Sequence, residues 1–131
     1  QIRNTPGSIG YVELAYVLES KMDYAYIQNK AGKFVEPTLE ATTAAASQFP
    51  QVSPEKFSIV NAPGARSYPI AGYTWAIVWQ QYSDANKAAA IKELMGWVVT
   101  DAQESVAKKL NYAPLPQNAQ QLAQQSLDKV K

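Results

Sequence analysis

Apolar and polar positions along the first half of this chain predict helices separated by short strands. Leu14, Leu18 and Met22 have the i, i+4, i+8 spacing of one helix face, which predicts a helix over about residues 13–21. A second helix is predicted over 38–47, because Pro37 suits the first turn of a helix. Brief apolar runs predict strands at 9–12, 24–27, 34–35 and 57–60, the middle two joined as a hairpin by a turn at 29–32.

The segment from Tyr73 to Tyr82 is the strongest predicted strand, because it is aromatic and β-branched and contains no strand breaker. Its nearly continuous apolar character predicts burial on both faces, as in a sheet covered by helices. Trp75 and Trp79 share one side of this strand, and we expect them in the core or at a lobe interface. The alternative is a platform for stacking on a sugar, made by these residues together with Tyr73, Tyr82 and Trp97.

Three helices are predicted after this strand. Ser83 or Asp84 is expected to cap the first and Thr100 or Asp101 the second, while the third begins at about Gln117. Apolar stripes predict the inward faces of the first and third helices: Ala88, Ile91, Leu94, Met95 and Val98, then Ala119, Leu122, Ala123, Leu127 and Val130. Helices that alternate with short strands predict an α/β fold.

Composition excludes several classes of function. The 131 residues carry 12 basic and 11 acidic side chains, a net charge of +1 that is too balanced for a nucleic-acid or membrane-surface binder. Neither cysteine nor histidine is present, so disulfides, thiolate metal sites and imidazole catalysis are excluded within this chain. Helix caps and solvated helix faces are the expected roles of Asp84, Glu93, Asp101 and Glu104. No cofactor, metal or catalytic residue is predicted.

Three stretches carry a resemblance to a known family. They are Thr5-Pro6-Gly7-Ser8-Ile9-Gly10-Tyr11-Val12-Glu13 with Ala15-Tyr16, then Tyr68-Pro69-Ile70 leading into Thr74-Trp75-Ala76-Ile77-Val78, and finally Leu110-Asn111-Tyr112-Ala113-Pro114-Leu115-Pro116. In content, order and spacing they resemble the C-terminal part of the extracytoplasmic phosphate-binding proteins of bacterial ABC phosphate importers. The resemblance spans nearly all of the chain.

The resemblance implies the C-terminal portion of a two-lobed periplasmic-binding-protein fold of type II, with mixed short strands and flanking helices. Residues 1–68 would be the end of lobe two, and residues 69–131 the return crossing and closing helices of lobe one. It also implies a periplasmic or extracellular location, with attachment to the membrane through an upstream lipoprotein segment left open. The implied partners are an ABC permease and, for the full-length protein, inorganic phosphate; no nucleic acid is expected.

In that family, phosphate is held by serine and threonine hydroxyls, backbone N–H groups at helix N-termini, an arginine and an aspartate, a set that suits an oxyanion. The binding motifs are an early Gly-Ser-rich loop and a later arginine followed by Ser-Gly-Thr. Both are absent here and are expected upstream of Gln1, so no ligand-binding residue is assigned. Gly7-Ser8-Ile9-Gly10 is expected to be a turn rather than an anion loop, and Arg66 a solvated loop residue rather than a cleft ligand.

Two other functions compete with phosphate binding. The first is a structural or interaction module that associates with itself, because the apolar helix stripes after Asp84 would lack partners in so short a chain. The second is a hydrolase, for which no nucleophile–base pair can be assembled from the sequence. We expect the isolated chain to bind phosphate weakly or not at all.

Overall fold

A computed structural model describes residues 2–53 and 55–131. The described chain contains four α-helices and one two-stranded antiparallel sheet, in which Ile27 lies opposite Val35. In chain order the elements are α1 (Leu14–Glu19), β1 (Ile27–Gln28), β2 (Phe34–Val35), α2 (Leu39–Ser47), α3 (Ala85–Val99) and α4 (Gln117–Leu127). Short 3₁₀ turns cover Ile2–Asn4 and Lys108–Leu110, and a π-helical turn covers Gln103–Ala107. The predicted mixture of helices and short strands is present.

Side-chain caps begin α2 and α3, and the cap of α3 is one that the sequence predicted, whereas Pro37 lies before the cap of α2 rather than in its first turn. The Thr38 hydroxyl accepts a hydrogen bond from the Ala41 N–H at 3.1 Å, at the start of α2. At the start of α3, a carboxylate oxygen of Asp84 accepts from the Asn86 N–H at 2.8 Å, so Asp84 rather than Ser83 is the cap. The start of α4 at Gln117 also agrees with the prediction.

Most of the predicted strands are wrong. Residues 9–12, 57–60 and 73–82 form no strand, and of 24–27 only Ile27 is paired. The expected burial of the 73–82 segment is also wrong, since Ile77 is 97% exposed and Trp79 is 77% exposed. A strand needs a neighbouring strand to accept and donate its backbone hydrogen bonds. In the described structure, only β1 and β2 are brought together in this way, by the short turn between them. The residues of these segments therefore favour strands, but the segments have no partner strand among the described residues.

Two helix predictions also need correction. α1 ends at Glu19 rather than near residue 21, because Lys21 adopts a left-handed backbone with φ of 50° that a helix cannot continue. The helix predicted from Thr100 or Asp101 is a π-helical turn followed by a 3₁₀ turn. The Thr100 hydroxyl donates back to the Gly96 carbonyl at 2.8 Å instead of accepting at a new N-terminus.

The core is small and rich in alanine. Eight of the twelve buried apolar residues in the described chain are alanines. Its centre joins α2 to the loops that follow and consists of Ala45, Ala46, Ile59, Ala62 and Ala71, with Phe49 and Tyr73 packed against it. α4 packs on both α2 and α3.

The two predicted apolar stripes differ in burial. Ala119, Leu127 and Val130 of the last stripe are buried. In α3 only Ala88 is buried, and Leu94 is half exposed. The assignment of residues 1–68 and 69–131 to two lobes stays a prediction.

Candidate functional site

Residues 7–10 belong to a turn, and the hydroxyl of Ser8 already donates a hydrogen bond within it. Gly7 has a φ of 79°, which a residue with a side chain rarely adopts. The Ser8 hydroxyl donates to the Thr5 carbonyl at 2.7 Å and lies 3.2 Å from the Ile2 carbonyl. A Cβ on Gly10 would come 2.9 Å from the Ile2 side chain. The backbone angle of Gly7, the close approach of Ile2 to Gly10 and the hydrogen bonding of Ser8 therefore give these residues structural roles in the turn.

Arg66 and Ser67 point to different environments. Arg66 is exposed, as expected for a solvated loop residue, whereas Ser67 is fully buried. The Ser67 hydroxyl has no hydrogen-bond partner among the described residues. A Cβ on the neighbouring Gly64 would approach that hydroxyl to 2.6 Å, so the loop is closely packed around it. The arginine and the serine therefore do not converge on one ligand.

Asn29 is the most highly connected polar residue of the described chain. Its amide nitrogen lies 3.1 Å from the Gly64 carbonyl, 3.0 Å from the Ala65 carbonyl and 3.1 Å from the Ser67 carbonyl. Its side-chain oxygen accepts from the backbone N–H groups of the hairpin turn, at 3.0 Å and 3.1 Å. Asn29 thus ties the β1–β2 turn to the 64–67 loop.

Gln103 is a second connecting residue, and its side chain makes a link between segments instead of the capping-box contact that its position predicts. Its side chain donates to the Val98 carbonyl at 2.6 Å and accepts from the Leu115 N–H at 2.8 Å, which links the end of α3 to the segment before α4. The turn around Asn29 does carry a local signal, because an asparagine side chain readily binds the backbone two residues on. Gln103 carries no comparable signal.

The acidic residues form no catalytic pair. Asp84 caps α3, and Glu104 pairs with Lys108 at 2.6 Å one helical turn away. Asp101 and Glu93 are exposed. Among residues 2–53 and 55–131, no group of three or more acidic side chains is placed to hold a metal ion. These carboxylates have the structural roles that their positions in the sequence predict.

An aromatic cluster consists of Phe57, Tyr73 and Trp75. The Trp75 ring meets the Phe57 ring edge-on, with centroids 6.4 Å apart and planes at 90°. It meets the Tyr73 ring at 5.9 Å and 73°. Rings that meet edge-on do not present the flat row of faces that stacks on a sugar. This geometry therefore gives the sugar-platform alternative no support.

Two open clefts lie on the surface of the described chain. One, of about 360 Å³, is lined by Trp79, Gln80, Gln81, Lys129 and Lys131. The other, of about 480 Å³, is lined by Phe49, Gln51, Glu55, Lys56, Phe57 and Ser58. Neither combines an arginine, a helix N-terminus and hydroxyl donors. Neither of these two clefts therefore has the set of donors that holds a dry oxyanion.

One segment of the described surface has no backbone hydrogen bonds. Residues 74–78, called the open edge below, make no backbone hydrogen bond to any described residue. Immediately after it, the Lys131 N–H donates to the Gln80 carbonyl and the Tyr82 N–H donates to the Lys131 carbonyl, both at 2.8 Å. These two bonds join Lys131 to the residues that follow the open edge.

Comparison with known proteins identifies relatives over nearly the whole chain. No family model matches it. It is 38% identical over 119 residues to the phosphate-binding protein PstS of Xylella fastidiosa (strain 9a5c), a match that covers 89% of this chain and 32% of that protein. The PstS protein of Methanocaldococcus jannaschii is 31% identical over 142 residues, covering 99% of this chain and 36% of that protein.

The chain is homologous to part of the PstS phosphate-binding proteins. The PstS protein of Haemophilus influenzae adds a match of 31% identity that covers 88% of this chain. The resemblance inferred from three stretches of sequence is therefore confirmed. The chain spans about a third of the length of these PstS relatives. Helices and a small sheet are compatible with a periplasmic-binding-protein fold, which is the fold that the PstS relationship implies.

Proposed function

We propose that this chain is the C-terminal part of the solute-binding component of an ABC importer, which binds inorganic phosphate as a full-length protein. In this proposal the fold is the two-lobed type II fold, with residues 1–68 ending lobe two and residues 69–131 returning to lobe one. The observation that carries the proposal is the 38% identity to a phosphate-binding protein over 89% of the chain. The matching stretch is a third of that relative, so the function belongs to the larger protein.

The ligand-binding residues lie outside this chain in our proposal. The described residues bring together no arginine, hydroxyl and helix N-terminus, and the exposed Arg66 is not joined by the buried Ser67. A phosphate ion must be surrounded by donors to leave water, because an isolated buried charge is strongly disfavoured. Neither open cleft of the described residues supplies such an enclosure. This supports the proposal that the chain builds part of the lobes and that the ligand-binding residues lie elsewhere.

The proposed partners follow from the same assignment. The full-length protein delivers phosphate to an ABC permease and acts in the periplasm or outside the cell. A non-enzymatic role is supported by the names of the PstS relatives, which are binding proteins, and by the structural roles of the acidic residues. In the described part of the chain, no helix is both long enough and apolar enough to cross a membrane.

A chimera tests the proposal directly. In the Xylella fastidiosa relative, the matching stretch of 119 residues is replaced by the corresponding residues of this chain, and phosphate binding is measured by titration calorimetry. We expect one saturable phosphate site in the chimera and none in the isolated chain. Sulfate is the matched control ligand, because a carboxylate can accept a hydrogen bond from a protonated phosphate oxygen but not from fully ionised sulfate.

Two outcomes would contradict the proposal. A chimera that folds by circular dichroism but binds no phosphate would show that this chain is not equivalent to the PstS segment that it replaces. A phosphate site of micromolar affinity in the isolated chain would show that the ligand residues lie within it. Restored phosphate uptake in cells that lack their own binding protein would extend the test to the permease.

A further inference from the structure

We draw no further inference here: the strongest candidate, the exposed apolar segment of the open edge at residues 74–78, carries none, because the chain spans about a third of its PstS relatives and nothing in the structure shows what covers this face.

Discussion

At the scale of single residues, the described structure depends on polar side chains that join segments distant in the sequence. Asn29 connects the hairpin turn to a loop more than 30 residues later. Burial makes these contacts matter, because a buried carbonyl that loses its donor is not compensated by water. The asparagine is therefore a structural tie rather than a ligand residue.

Replacing Asn29 tests this role. Asn29→Ala leaves the carbonyls of Ala65 and Ser67 without their donor, and we expect the free energy of unfolding to fall by about 1–3 kcal/mol. Urea denaturation measures the change. Asn86→Ala, at an exposed asparagine of α3, is the matched control and should change stability by no more than about 0.5 kcal/mol. Equal stability of the two variants would contradict the role given to Asn29.

A tyrosine–glutamate pair makes the hairpin sensitive to pH. The Tyr24 hydroxyl donates to the Glu36 carboxylate at 2.5 Å, across the residues that flank β1 and β2. This hydrogen bond is the main cause that lowers the pKa of Glu36 below its ordinary 4.5 and raises the pKa of Tyr24 above its ordinary 10.0. The Glu36 contribution to stability is lost as pH falls through its lowered pKa, and the Tyr24 contribution is lost as pH rises through its raised pKa.

Removing the hydroxyl should shift this titration. In Tyr24→Phe, we expect the pKa of Glu36 to rise towards 4.5, as followed by NMR pH titration of the side-chain carboxyl carbon. Tyr11→Phe removes a hydroxyl from an exposed tyrosine elsewhere in the chain and should leave that pKa where it is. An unchanged Glu36 titration in Tyr24→Phe would show that the hydrogen bond does not form in solution.

At the scale of elements, helices and strands behave differently in this chain. The helices predicted over 38–47 and from Gln117 are present with nearly the predicted bounds, because a helix makes its backbone hydrogen bonds within its own residues. The predicted strand over 73–82 has the right residue types but no neighbour, apart from the contact of Gln80 and Tyr82 with Lys131. Strand propensity could not show whether this segment has a partner, because the hydrogen bonds of a strand are made with residues distant in the sequence.

The start of α3 allows a sharp test at this scale. Sequence left Ser83 and Asp84 as alternative caps, and the structure assigns the cap to Asp84. We expect Asp84→Ala to lower the free energy of unfolding by about 0.5–2 kcal/mol, because two N–H groups of the first turn lose their acceptor. Ser83→Ala should be nearly neutral, and Asp84→Asn should retain most of the stability. Thermal or chemical denaturation in which Ser83→Ala is the more harmful change would reverse the assignment.

At the scale of the whole molecule, the chain has a small core and an extensive surface. Alanines dominate the buried apolar residues, while large side chains such as Ile77 and Trp79 remain outside. Alanine contributes little apolar area per residue, so this core stabilises the fold less than one built from larger side chains. Such a chain fits the proposal that it belongs to a larger phosphate-binding protein.

The amino-acid sequence by itself determined the family, the approximate helix bounds and the candidate caps. These features depend on local spacing and on motifs that are read directly from neighbouring residues. It also indicated that no ligand set is present, because neither the Gly-Ser-rich loop nor the arginine with Ser-Gly-Thr occurs in the chain. The tertiary structure alone decided that Asn29 ties two loops together and that residues 74–78 form no backbone hydrogen bond with another described residue. Both depend on contacts between residues far apart in the chain, which periodicity and propensity do not encode.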